Sequence, residues 1–219
     1  MENKLIISEF FASIQGESSY AGLPCFFIRL AGCNLDCAYC DTEYAKSTED
    51  GEKYSIEEIM GKVKDAGLDL VEITGGEPLL QKGVIELCEK LLNENYQVLM
   101  ETNGSISIAS LPAEVIKILD CKCPASREAD KMDFANFALL AKADEVKFVI
   151  SDKEDYEYTV NIIEKYDLQN KVNNILVSPD LSNPGLSAQL AEWIMKDKIP
   201  VRMQLQMHKR IWDPEERGR

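Results

Sequence analysis

Apolar residues recur along this chain in two rhythms. Short runs crowded with Val, Ile, Leu and Phe occur at LIISEFFA (5–12), CFFIRLAG (25–32), LVEIT (70–74), QVLME (97–101), VIKILDC (115–121), EVKFVIS (145–151), NILVSP (174–179) and VRMQLQ (201–206). Such runs predict strands. Between them, apolar positions fall three and four apart at SIEEIMGKVKDAG (55–67), GVIELCEKLLNEN (83–95), DFANFALLAKA (133–143), KEDYEYTVNIIEKY (153–166) and LSAQLAEWIMKD (186–197), predicting helices with one apolar face. Ser55, with Glu58 three positions on, has the form of a capping box. Strands separated by single helices are βαβ units, so the expected class is α/β with a mainly parallel sheet. A doubly wound sheet and a complete or partial (β/α) barrel both fit. In either, chemistry belongs on the loops leaving the carboxyl ends of the strands.

Length and composition narrow the class. The chain has 219 residues, 45% hydrophobic and 28% charged, without repeats or a linker-like tract, which fits one domain over 1–219. No apolar run is long enough to span a membrane, and the start MENKLIISEFFASIQGE has no secretory pattern, so a cytoplasmic protein is expected. A net charge of −14, with only short basic stretches such as His208-Lys209-Arg210, argues against nucleic acid as a partner. An odd count of seven cysteines does not suggest a disulfide framework. Cys25 and Cys88 lie in apolar patterns and read as buried small hydrophobes.

Four unusual loops follow predicted strands: GCNLDCAYCDT, TGGEP, ETNG and KCPAS. Their placement points to one shared face. Cys33, Cys37 and Cys40 form C-x3-C-x2-C, close enough for soft thiolates to converge on zinc or iron–sulfur. Structural zinc wants a fourth ligand. Cys121 and Cys123 make only C-x-C, and the single histidine, His208, is remote. Three cysteines suit a 4Fe–4S cluster that keeps one iron open.

With Tyr39 just before the last cysteine, and Thr74-Gly75-Gly76-Glu77-Pro78 downstream, the chain resembles the radical S-adenosylmethionine enzymes. The flanks narrow the resemblance. Phe11-Ala12-Ser13-Ile14-Gln15-Gly16-Glu17, Gly22-Leu23-Pro24, Phe27-x-Arg29, Cys40-Asp41-Thr42, Glu101-Thr102-Asn103-Gly104, Lys122-Cys123-Pro124-Ala125-Ser126 and Gln206-Met207-His208-Lys209 are similar to the 7-carboxy-7-deazaguanine synthase family. These matches run from about residue 8 to 212.

That resemblance implies an incomplete (β/α) barrel and radical ring contraction of 6-carboxy-5,6,7,8-tetrahydropterin, with loss of ammonia, in the making of queuosine or another 7-deazapurine. It implies that Cys33, Cys37 and Cys40 hold the cluster. Tyr39, Cys40, Asp41, Gly75, Gly76, Glu77, Glu101 and Ser126 would form the S-adenosylmethionine site, and Thr42 would bind Mg²⁺. Ile14, Gln15, Gly16, Glu17, Arg29, Thr74 and His208 would meet the pterin, with the tail from about 207 to 219 nearby. A reductant protein such as flavodoxin or ferredoxin and a homodimer are further expectations. Plainer readings stand beside these: Arg29 in an internal salt bridge, His208 as structural, Glu101 as a surface acid, Ser126 as a turn residue. A glycyl-radical-enzyme activase, or a non-catalytic iron–sulfur electron carrier, is the alternative for the whole chain.

Overall fold

The computed structural model describes residues 4–213 and 217–218. Among them, one sheet contains β1 (Lys4–Ile14), β2 (Pro24–Leu30), β3 (Glu52–Ser55), β4 (Leu70–Gly75), β5 (Gln97–Thr102), β6 (Ile116–Asp120), β7 (Glu145–Ile150), β8 (Asn174–Pro179) and β9 (Arg202–Met203). Their spatial order is β3-β1-β2-β4-β5-β6-β7-β8-β9, with β3 and β9 as open edges. β1 runs antiparallel to β2 and β3, whereas every pair from β2–β4 to β8–β9 is parallel. The sheet is therefore a mainly parallel, incomplete barrel.

Helices α1 (Ile56–Ala66), α2 (Val84–Asn93), α3 (Lys153–Tyr166) and α4 (Leu186–Asp197) lie on the β2–β4, β4–β5, β7–β8 and β8–β9 crossovers. β5–β6 is joined by a loop and β6–β7 by 3-10 segments, and the short α5 (His208–Ile211) follows β9. The capping box forms as predicted: Ser55 Oγ accepts from Glu58 N at 3.3 Å, and Glu58 Oε2 accepts from Ser55 N at 2.7 Å. Gly67 ends α1 with φ 64°, a left-handed conformation that glycine adopts without strain.

Strand periodicity sorts the side chains. Val71, Ile73, Val98 and Met100 pack with Ile59, Val63, Leu87 and Leu91 on the helical face. Val146, Phe148, Ile150 and Val177 pack with Tyr156, Ile163 and Leu190. Because successive side chains alternate, the intervening Glu72, Thr74, Glu101, Asp120 and Lys147 project to the opposite, concave face. A smaller apolar group of Cys25, Phe27, Leu70, Leu99 and Ile118 closes the floor of that face.

Two predicted elements differ. The helix expected over 133–143 is a five-residue 3-10 segment, Phe134–Ala138. Buried Asn136 ties it to the preceding loop, donating to Gly104 O and Ile106 O at 3.1 and 2.9 Å and accepting from Ile108 N at 3.0 Å. The strand expected over 201–206 pairs only at Arg202–Met203, after which the chain turns back toward β1. The pairing of Glu52–Ser55 as an edge strand was not predicted, since EKYS has no apolar run.

Candidate active site

A cavity of about 830 Å³ opens at the carboxyl ends of the parallel strands. The cysteine loop forms one wall. Its path is fixed by Gly32 N to Ala45 O at 2.8 Å, Cys33 N to Lys46 O at 3.1 Å, and Ala38 N to Ser126 O at 3.0 Å. Cys33, Cys37 and Cys40 line the cavity and are partly exposed, whereas Cys25, Cys88, Cys121 and Cys123 are buried. Burial raises the Cys33 thiol and pushes Cys37 up to about 11, so ligand binding has to displace their protons. Asn103 Nδ2 reaches to 3.8 Å from Cys33 Sγ.

The strand-end glycines let this wall close. A Cβ on Gly75, at φ 146°, would overlap the carbonyl of Leu30; one on Gly76 would overlap the carbonyl of Gly32 and stand 2.8 Å from Cys33 Cβ. Glu77 is 0% exposed and accepts from Leu79 N at 3.0 Å, Asn103 N at 2.7 Å and Thr102 Oγ1 at 2.9 Å. Burial raises its pKa against those bonds. It bolts the GGEP turn to the end of β5 and lies behind the wall. Ser126 is likewise fully buried, donating to Cys123 O at 2.6 Å and accepting from Glu128 N at 3.1 Å.

The opposite wall is the loop after β1. Gln15 is 4% exposed; its amide oxygen accepts from Glu17 N at 2.5 Å and its amide nitrogen donates to Glu72. Glu17 accepts from Lys147 Nζ and Gln206 Nε2, both at 2.9 Å. Burial opposes its charge, but Lys147 and these bonds carry its carboxyl below the ordinary value. Glu101 accepts from Lys147 Nζ at 2.5 Å and Thr74 Oγ1 at 3.3 Å. Gly16 O accepts from Met207 N at 2.9 Å, which brings His208 against Gly16. Burial lowers the imidazole pKa, partly offset by Glu17.

Arg29 has the internal partner its burial demands: Nε donates to Glu9 Oε1 at 2.7 Å. Its guanidinium also faces the cavity, 5.5 Å from the ring centre of Phe11. Asp41 pairs with Lys209 Nζ at 2.6 Å and accepts from Thr42 Oγ1 at 2.9 Å. Ile14 and Tyr39 complete the predicted lining, and Arg217 and Gly218 bring the described end of the tail to the same cavity. Arg219 lies outside the described residues.

Sequence reasoning missed Lys147, Asp120 and Glu72, all on the cavity surface. The available signal was a charge inside an apolar strand run, which requires a buried partner.

The residues fit the implied groups. Three partly exposed cysteine thiols supply a soft donor set, and the cavity-lining residues Tyr39, Ser178 and Asp120 each carry a buried oxygen without a hydrogen-bond partner among the described residues. Among the described residues no group of three or more His, Cys, Asp and Glu side chains is gathered as a single-ion site. Among the described residues no helix is long and apolar enough to cross a membrane.

An open, mainly parallel sheet that turns three thiols and a glycine-lined strand end toward one cavity defines the radical S-adenosylmethionine class, and the Radical SAM superfamily profile matches residues 27–183. The curated 7-carboxy-7-deazaguanine synthase of Koribacter versatilis is 45% identical over 97% of this chain and 99% of its own length. That of Chlorobaculum tepidum is 43% identical over 99% and 98%. The chain belongs to the 7-carboxy-7-deazaguanine synthase family. Among solved structures, QueE from Escherichia coli has the same fold, with a TM-score of 0.77 at 21% identity over 94% of this chain and 95% of that one. SuiB from Streptococcus suis, bound to its precursor peptide SuiA, is more distant, with a TM-score of 0.56 over 80% of this chain and 46% of that one.

Proposed function

We propose that this chain is a radical S-adenosylmethionine enzyme that contracts 6-carboxy-5,6,7,8-tetrahydropterin to 7-carboxy-7-deazaguanine. The observation that carries the reading is near-complete coverage by curated synthases at 43% and 45% identity. Neither a glycyl-radical activase nor an electron carrier accounts for that coverage. Substrate and product differ by one ammonia, so the ring contraction needs no net oxidant.

When bound, a 4Fe–4S cluster with S-adenosylmethionine supplies the one-electron radical chemistry that side chains lack. Cys33, Cys37 and Cys40 hold the cluster. Gly75 and Gly76 admit the cofactor close to the backbone, with Tyr39, Asp41 and Glu101 around it, while Glu77 and Ser126 brace the loops from behind. Glu17 offers the pterin's guanidine-like edge a carboxylate that can accept two parallel N–H bonds. Arg29 uses Nε for Glu9 and keeps its terminal N–H groups for the substrate carboxylate, with His208 beside it. Ile14, Gln15, Gly16 and Thr74 shape that pocket. Thr42 contributes one hard oxygen to Mg²⁺, with substrate oxygens and water supplying the remainder. A flavodoxin or ferredoxin delivers the electron, and the working form is a cytoplasmic homodimer feeding queuosine or another deazapurine.

The test is anaerobic cluster reconstitution followed by incubation with reductant, S-adenosylmethionine, Mg²⁺ and the pterin. Pterin-dependent cofactor cleavage with formation of the deazapurine is expected. Reduced, cluster-loaded enzyme that leaves S-adenosylmethionine uncleaved would sink the proposal.

A further inference from the structure

Lys147 is a cation inside the apolar strand EVKFVI and is 5% exposed. Burying an ammonium is costly unless its protons are matched by acceptors. Here they are: Nζ donates to Glu17 Oε2 at 2.9 Å and Glu101 Oε1 at 2.5 Å, and stands 3.6 Å from Asp120 Oδ2. The three acids come from separate elements, namely the loop after β1, the end of β5 and the end of β6. Asp120 has a second cation, Lys122, at 2.8 Å. Among the described residues no other lysine or arginine forms an ion pair with Glu17 or Glu101.

Each of these two carboxylates is also gripped by its other oxygen. Gln206 Nε2 donates to Glu17 Oε1 at 2.9 Å, and Thr74 Oγ1 donates to Glu101 Oε2 at 3.3 Å. An ionised carboxylate has about four lone-pair positions, so two fixed bonds set its plane and leave acceptor sites toward the cavity. Losing the ammonium would leave Glu17, Glu101 and Asp120 facing one another with Lys122 as the nearby cation. Like charges left facing one another repel, so the carboxylates would turn away from their set positions.

We propose that Lys147 is a positioning residue shared by both halves of the cavity, one ammonium holding Glu17 on the substrate side and Glu101 on the cofactor side. It aims both carboxylates from within β7. The assignment of the two sides rests on the proposed function; the bridging geometry does not.

The experiment measures binding of S-adenosylmethionine and of the pterin separately, by equilibrium titration of cluster-loaded enzyme. The variants are Lys147→Met, Lys147→Arg, Glu17→Gln, Glu101→Gln and the doubles of Lys147→Met with each glutamine substitution. Lys147→Met is expected to weaken both ligands on the order of 10- to 100-fold, the range for losing a charge-assisted bond. Glu17→Gln should weaken the pterin alone, and Glu101→Gln S-adenosylmethionine alone. In the doubles, Lys147→Met should add little for the ligand whose carboxylate is already neutral, because the residues act as one unit. Lys147→Arg should recover part of both affinities. Wild-type binding of both ligands by Lys147→Met overturns the proposal. So do losses that add fully in the doubles, or that merely track a fall in cluster absorbance or melting temperature. Wild-type enzyme that binds S-adenosylmethionine but not the pterin overturns the substrate assignment instead, and the Glu101 arm still decides the role of Lys147.

Discussion

Gly16 has no room for a side chain. A Cβ there would overlap Nδ1 of His208 and lie 2.9 Å from its Cγ. The fit matters because the Gly16 carbonyl also receives Met207 N at 2.9 Å, so the loop after β1 and the segment after β9 meet backbone to ring. If His208 holds the pterin as proposed, Gly16→Ala should push it out of the cavity and raise the pterin KM on the order of 10-fold, since small misplacements of a binding group are costly. The melting temperature should stay within about 2 °C, because α5 buries no residue. Steady-state kinetics and a thermal melt check both; an unchanged KM would make His208 a structural residue. Legibility at this scale depended on context. Arg29 stood out as a charge in an apolar run, and the structure supplies both its internal partner and its cavity face. Lys147 obeys the same physics in EVKFVIS, but no loop motif adjoins it to draw attention.

Elements set the relation between the cysteine loop and the GGEP turn. Leu30 lies opposite Gly75 in the parallel β2–β4 ladder, and the contact continues through Gly76 N to Leu30 O at 3.1 Å and Glu77 N to Gly32 O at 2.8 Å. Two loops leaving adjacent strands thus touch without intervening side chains. Gly76→Ala would force Gly32 and Cys33 apart, so iron and sulfide content should fall while the far-ultraviolet circular dichroism keeps its helix and strand signal. Iron analysis of the reconstituted variant decides the matter; full iron loading would show that the loop yields. Helix prediction succeeded where local and tertiary preferences agree, as in α3, capped by Asp152 accepting from Asp155 N at 2.9 Å. It failed over 133–143, where apolar spacing suited a helix but Asn136 bonds to a neighbouring loop, and Leu139 is left exposed.

Across the whole molecule, the concave face carries more acid than base at its centre. Glu72 is 2% exposed; burial, reinforced by Glu101, pushes its carboxyl up to about 8. An unfolded glutamate titrates near 4.3. Between about pH 4.3 and 8 the folded state therefore holds a proton that the unfolded state has released. This group's contribution to stability is full at the acid end of that window, declines as pH rises through it, and levels off above. Glu72→Gln should melt higher than wild type at pH 8, with the gap shrinking toward pH 5; thermal melts at both ends test the sign, and a constant gap would mean that Glu72 is ionised throughout. The sequence by itself determined the C-x3-C-x2-C spacing, the strand–helix alternation and the strand-end loops, because those signals are carried by spacing within a few residues. Only the tertiary structure decided which charges share the cavity. Glu17 meets Lys147 at a separation of 130 residues and Gln206 at 189. Those meetings depend on strand order and on which face each alternating side chain takes, and no local pattern contains either.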